Sequence, residues 1–129
     1  MRGSEPKQVL VVDDDEAIRE VVRELLEDDG YHVATAGNGR EALDYLQHHP
    51  APSAMIVDMM MPVMDGWQLM QRMKADAELA KVPVIAMSAG GSRTLATAPV
   101  CKDYLAKPIT VQRLLDAVER CGHPPPLAA

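Results

Sequence analysis

Hydrophobic and polar positions follow two alternating rhythms along this chain. Residues 8–12 carry an unbroken apolar run, Val9-Leu10-Val11-Val12, that stops abruptly at Asp13-Asp14-Asp15, the pattern of a buried parallel strand. From Glu16 the period changes. Ala17, Ile18, Val21, Val22, Leu25 and Leu26 recur at three- and four-residue intervals between Arg19, Glu20, Arg23, Glu24 and Glu27, which predicts an amphipathic helix ending at Gly30. Residues 31–36 predict a second strand closed by Gly37-Asn38-Gly39. Asn38, with Glu41 three residues on, makes a capping-box-like start for a helix over residues 40–48, with Ala42, Leu43, Tyr45 and Leu46 inward and Pro50 and Pro52 beyond its end.

The same alternation continues. Residues 53–57 predict a third strand, and Asp65 with Gln68 caps a helix that carries Leu69, Met70 and Met73 into residues 75–80. Residues 82–87 predict a fourth strand, with Pro83 tolerated near its start and Ser88 at its end. Residues 90–100 hold Gly90-Gly91, Ser, Thr and Pro99, which leave room only for a short or irregular fourth helix. Residues 103–106 predict a fifth strand leading into Lys107-Pro108. Thr110 then caps a last helix whose stripe is Val111, Leu114, Leu115, Ala117 and Val118, ending at Gly122. Five strands alternating with helices predict an α/β, doubly wound parallel sheet with right-handed crossovers. One domain is expected over residues 8–122, between a leader at residues 1–7 that starts with the vector-like Met1-Arg2-Gly3-Ser4 and a proline-rich tail or linker start at residues 123–129.

Composition narrows the function classes. A chain of 129 residues with 47% hydrophobic and 25% charged residues has the balance of an ordinary globular domain and not of a disordered one. Its net charge of −6 lacks the basic footprint of a nucleic-acid binder. Cys101 and Cys121 show neither metal-ligand spacing nor the density of a secreted scaffold, so reduced thiols are expected. With no apolar run of membrane-spanning length and no signal peptide, the expected location is the cytoplasm.

In such a sheet the strand ends converge on one edge, where ligand sites lie. That edge would gather Asp13 and Asp14 from the first strand, Asp58 from the third, Ser88 from the fourth and Lys107 after the fifth. Three crowded carboxylates raise one another's pKa unless a cation neutralises them, and hard oxygen donors suit octahedral Mg²⁺. With the Lys107 charge and the Ser88 hydroxyl, these groups suit phosphoryl transfer to a carboxylate. The acidic triplet also reads as a solvated turn capping the first helix. Met59-Met60-Met61 reads as loop and core packing and not as copper ligation, and Trp67 as an exposed or partner-facing side chain. Cys101, His32, His48, His49 and His123 have no ligand spacing.

Val11-Val12-Asp13-Asp14-Asp15, Val57-Asp58 with Met61-Pro62 and Met64-Asp65-Gly66, Ser88-Ala89, and Tyr104-Leu105-Ala106-Lys107-Pro108 together resemble the receiver domain of bacterial two-component response regulators, over about residues 8–121. The resemblance implies a flavodoxin-like fold with strand order 2-1-3-4-5. It implies that Asp58 accepts a phosphoryl group from a phosphohistidine of a sensor histidine kinase or histidine phosphotransfer protein, assisted by Ser88 and Lys107. Mg²⁺ would be held by Asp13, Asp14, Asp58 and the carbonyl of Met60. Ser88 and Tyr104 match the family's switch pair, which alters a surface read by a downstream output partner. On this reading the chain is a phosphoacceptor switch whose only chemistry is its own phosphotransfer and dephosphorylation. It departs from the family in a shorter stretch between Ser88 and Lys107, and in Val100 where a glycine is usual.

Two other readings stay open at this stage. A haloacid-dehalogenase-like phosphohydrolase would use Asp13 as nucleophile in a D-x-D motif, although Ala17 stands where that motif expects Thr or Val. A receiver-fold interaction module that signals without phosphorylation is suggested by residues 90–100.

Overall fold

The computed structural model describes residues 7–88 and 101–122, so the expected leader, the irregular fourth helix and the proline-rich tail lie outside the described residues, apart from Lys7. Each apolar run becomes a strand of a single parallel sheet ordered β2-β1-β3-β4-β5: β1 Gln8–Val12, β2 His32–Ala36, β3 Ala54–Asp58, β4 Val84–Ser88 and β5 Cys101–Ala106. The predicted fold class and strand order are those observed. In-register pairing puts Val12 opposite both Ala36 and Val57, and Asp58 opposite Met87, so the acidic residues finish neighbouring strands at one level.

Helices α1 (Glu16–Asp28), α2 (Gly39–His48), α3 (Gly66–Lys74) and α4 (Val111–Gly122) cover both sheet faces. Successive strand residues point to opposite faces, and β1 uses both. Val9 and Val11 join Ile56, Ile85 and Met87 in a core closed by Val22 and Leu26 of α1 and by Leu114, Ala117 and Val118 of α4. Leu10 and Val12 join Met55 and Val57 in a second core closed by Ala42 and Leu46 of α2 and by Leu69, Met70 and Met73 of α3. A strand buried on both sides needs an apolar residue at every position, which is why these runs do not alternate. Side chains fix the helix starts. Asp15 accepts from the amides of Ala17 and Ile18, Asn38 from that of Glu41, Thr110 from that of Arg113, and Asp65 with Gln68 forms a full capping box. Each cap contributes about 1 kcal/mol.

The sequence-based boundaries shift by one or two residues at several ends, and two expectations are corrected. The helix expected to reach residues 75–80 stops at Lys74. The Asp76 carboxylate there accepts from the amides of Glu78 and Leu79 and turns the chain into a short 3₁₀ turn, Leu79–Lys81. Trp67 is not an exposed side chain: it packs, half-buried, against the core beneath α3. The fifth strand also begins two residues earlier than expected, at Cys101.

Two glycines let loops close on helix starts. The Gly39 amide donates to the Met64 carbonyl (2.9 Å), tying α2 to the loop after β3, and a Cβ at Gly39 would lie 2.6 Å from that oxygen. A Cβ at Gly66 would lie 2.6 Å from Met59 Sδ and 2.9 Å from Met59 Cα. Between them Val63 takes φ 70° at the centre of a three-residue turn closed by the Met64 amide on the Pro62 carbonyl (2.7 Å), a strained conformation for a β-branched residue. Opposite effects are expected from two substitutions in this loop. Gly66→Ala forces backbone against backbone and is expected to lower unfolding free energy by about 1–3 kcal/mol. Val63→Gly relieves strain at an exposed position and is expected to raise it by about 1 kcal/mol, after the extra chain entropy of glycine is subtracted. Urea unfolding of the two variants beside wild type reads both signs.

Candidate functional site

The site is made where β1 and β3 run out. The ladder extends one residue past each strand, through the Asp13 amide on the Ala36 carbonyl (3.1 Å) and the Met59 amide on the Met87 carbonyl (3.1 Å). Asp13 and Asp58 are therefore held by sheet geometry and not by a free loop. They are 0% and 5% exposed. Asp14, the next residue along, is exposed, and one carboxylate oxygen from each of Asp13, Asp14 and Asp58 lies within 4.8 Å of the others. The acidic triplet thus divides: Asp13 and Asp14 face the cluster, while Asp15 caps α1.

Few donors meet this charge. Asp13 Oδ1 accepts from the Asp15 amide (2.9 Å), Asp58 Oδ1 accepts from the Met60 amide (3.1 Å), and Lys107 Nζ lies 3.5 Å from Asp58 Oδ2. Asp13 Oδ2 is buried and has no hydrogen-bond partner among the described residues. Leaving a buried acceptor unpaired costs about 1–3 kcal/mol, and more when it is charged. The Asp13 carboxyl is accordingly pushed up from 3.8 to about 6, chiefly by burial and further by the nearby Asp58 charge, against the opposing pull of the Asp15 amide and of Lys107.

Lys107 reaches the cluster because its amide donates to the Ser88 carbonyl (2.9 Å), carrying the β4–β5 ladder beyond both strands. Ser88 stands at the end of β4, half-buried. Tyr104 of β5 pairs with Ala86 of β4, two register positions from Ser88 and therefore on the same sheet face; it is exposed. Met60 lies in the loop directly after Asp58, and its side chain is largely in solvent, unlike its buried neighbours Met59 and Met61. The Met59-Met60-Met61 run thus divides between core packing, at Met59 and Met61, and loop, at Met60. Arg19 was legible only as part of the polar face of α1, yet its guanidinium donates to the Asp13 carbonyl (2.7 Å) and ties the acidic loop to the helix it starts. An arginine in the first turn after an acidic loop is too common a feature to have revealed this.

An orphaned buried oxygen inside an all-oxygen cluster with excess negative charge fits a hard divalent cation. Among the described residues this is the one group of three or more acidic, histidine or cysteine side chains with such convergence. No helix of the described residues is long and apolar enough to cross a membrane.

Comparisons with known proteins agree with this geometry. The sequence profile described as the response regulator receiver domain matches residues 9–119. The chain is 40% identical over 115 residues to response regulator Rre1 of Synechocystis sp., covering 86% of this chain but 49% of that protein. It is 33% identical over 117 residues to the polar-differentiation response regulator DivK of Brucella anthropi, covering 88% of this chain and 94% of that one. The chain thus spans about half the length of Rre1 and nearly all of DivK. Among solved structures, the chemotaxis response regulator CheY4 of Vibrio cholerae matches with a TM-score of 0.84 at 30% identity, over 91% of this chain and 99% of that one. The receiver domain of sensor histidine kinase PA1611 from Pseudomonas aeruginosa, described with a magnesium ion coordinated in its active-site cleft, matches with a TM-score of 0.83 at 27% identity, over 92% and 100%. With its parallel 2-1-3-4-5 sheet and acidic strand-end cluster, this chain belongs to the response regulator receiver domain family.

Proposed function

We propose that Asp58 is the phosphoacceptor of a phosphorelay, taking its phosphoryl group from a phosphohistidine of a sensor histidine kinase or histidine phosphotransfer protein in the cytoplasm. The observation that carries this reading is the buried Asp58 carboxylate between a second buried carboxylate and a lysine ammonium 3.5 Å away. An oxygen of Asp58 attacks phosphorus; the O–P bond forms as the P–N bond breaks, and the imidazole nitrogen leaves with the electron pair. The Met60 amide on Oδ1 and Lys107 at Oδ2 fix the carboxylate for that approach. Lys107 and the Ser88 hydroxyl then offer donors to the transferred phosphoryl oxygens.

Asp13, Asp14, Asp58 and the Met60 carbonyl would hold a Mg²⁺ ion, whose chemistry here is neutralisation of charge on the carboxylates and phosphoryl oxygens. The unpaired Asp13 oxygen supports that donor set. Ser88 and Tyr104, on one face of adjacent strands, form the switch pair: a hydroxyl drawn to the phosphoryl group leaves room for the exposed ring to turn inward and alters the surface offered to an output partner. The chain then acts as a switch, with no chemistry beyond its own phosphotransfer and dephosphorylation.

Intact mass after incubation with a small acyl phosphate tests the central step. A phosphoryl adduct that requires Mg²⁺, is lost in Asp58→Asn and persists in the Lys107→Arg protein at reduced rate is expected. An adduct that survives Asp58→Asn but disappears in Asp13→Asn would instead assign the nucleophile to Asp13.

The Asp13 carboxyl also sets a pH dependence. Between 3.8 and about 6 the folded protein holds this proton more tightly than the unfolded chain, so stability falls as pH rises through that window and the loss persists above it. The linked penalty is about 3 kcal/mol. In metal-free solution, Asp13→Asn is therefore expected to stabilise the fold by about 2–3 kcal/mol near pH 7.5 and far less near pH 4, with millimolar Mg²⁺ shrinking the difference at the higher pH. Urea denaturation at both pH values checks it; an equal effect at both would contradict the assignment.

A further inference from the structure

Eight of the nine methionines lie among the described residues, and they differ sharply in exposure. Met55, Met59, Met61, Met64, Met70, Met73 and Met87 are at most 9% exposed, whereas Met60 is 74% exposed. Its thioether thus meets solvent, and the others are shielded by the cores they fill. The exposed sulfur belongs to the residue whose amide hydrogen-bonds Asp58 Oδ1 at 3.1 Å, on a loop that also exposes Val63.

We propose that Met60 is a reversible oxidation site through which a peroxide oxidant lowers phosphoacceptance at Asp58. The second half of this statement rests on Asp58 being the phosphoacceptor; the first does not. The chemistry needs hydrogen peroxide or an alkyl hydroperoxide. The Sδ lone pair attacks one peroxide oxygen, the S–O bond forms as the O–O bond breaks, and the departing oxygen takes a proton to leave as water or alcohol. Sulfur gives up two electrons and the peroxide gains them. A dithiol-dependent methionine sulfoxide reductase reverses the change.

The product replaces a flexible apolar group by a polar sulfoxide whose oxygen is a strong acceptor with partial negative charge. It arises on the residue whose amide hydrogen-bonds Asp58 Oδ1, in the loop that follows one member of a cluster of three carboxylates. The sulfoxide carries no net charge, so it acts on phosphodonor approach as a bulkier, strongly hydrated dipole on the loop that bounds Asp58. An apolar partner surface that would meet Met60 and Val63 would also have to desolvate the new oxygen.

The test uses the full chain and hydrogen peroxide, with peptide fragmentation spectra to locate each added oxygen. In the folded protein the oxygen is expected on Met60 well before any buried methionine, and in urea on all of them alike. The oxidised protein is expected to form the acyl-phosphate adduct about fivefold more slowly, the scale of one misplaced polar contact, and to recover after reductase treatment. In Met60→Leu, compared with itself before and after peroxide, the adduct rate is expected not to change. Even oxidation of the folded protein's methionines, an unchanged adduct rate in the oxidised protein, or an equal peroxide-induced loss in Met60→Leu would each overturn the proposal. If the unoxidised chain forms no adduct from acyl phosphate or from a phosphohistidine donor, the phosphoacceptor reading fails and the link to Asp58 falls with it, while the oxidation map still decides the modification site.

Discussion

Asp13 and Asp58 end neighbouring parallel strands with their carboxylates almost out of reach of water, and the cost of burying these two groups side by side is the constraint around which the remaining structure is arranged. Parallel strands need crossovers, and crossovers bring successive strand ends to the same edge. That geometry makes acidic strand-terminal residues converge although they are 45 positions apart in sequence. The answer within the described residues is incomplete: one lysine 3.5 Å from Asp58, two loop amides, and an Asp13 oxygen with no partner. A fold selected for stability alone would place apolar residues here. The cluster instead holds electrostatic free energy that a proton, a divalent cation or a change in the charge of Asp58 can release.

For that energy to be usable the cluster must not relax by moving apart. The ladder bonds beyond β1 and β3, the Arg19 guanidinium on the Asp13 carbonyl, and the Gly39 and Gly66 approaches hold the three loops against the two cores. Strain at Val63 lies within the same frame, on the loop that carries Met60 past Asp58. Rigid positioning and unrelieved charge are thus two aspects of one arrangement.

Much of this was legible in the sequence, because it follows from periodicity. The change from an unbroken apolar run to a three-to-four spacing at Asp13 marks a strand end and a helix start together, and five strand runs, four of them followed by such a spacing, define the sheet. The strand-end list of Asp13, Asp14, Asp58, Ser88 and Lys107 follows from topology alone, and the structure brings the first three and Lys107 together. What depends on the path of a loop was not legible. Met59, Met60 and Met61 are one residue type in a row, yet the turn after β3 buries two and exposes the third. The stop of α3 depends on Asp76 capturing two amides in place of helical bonds, a competition that spacing does not decide. The half-burial of Trp67 was not legible because an aromatic in the first turn of a helix packs or protrudes according to the neighbouring loop, here the one holding Met59 and Met64 in the same core.

The behaviour of the site turns on Asp13 being a buried carboxyl whose ionisation is resisted by its surroundings. Carbon-13 NMR of the aspartate side-chain carboxyls, followed through a pH titration with and without Mg²⁺, tests this most directly. The Asp13 resonance is expected to titrate near 6 without metal and well below that with it, as the ion replaces the missing partner of Oδ2. Titration at the ordinary value of 3.8, unmoved by Mg²⁺, would contradict the account.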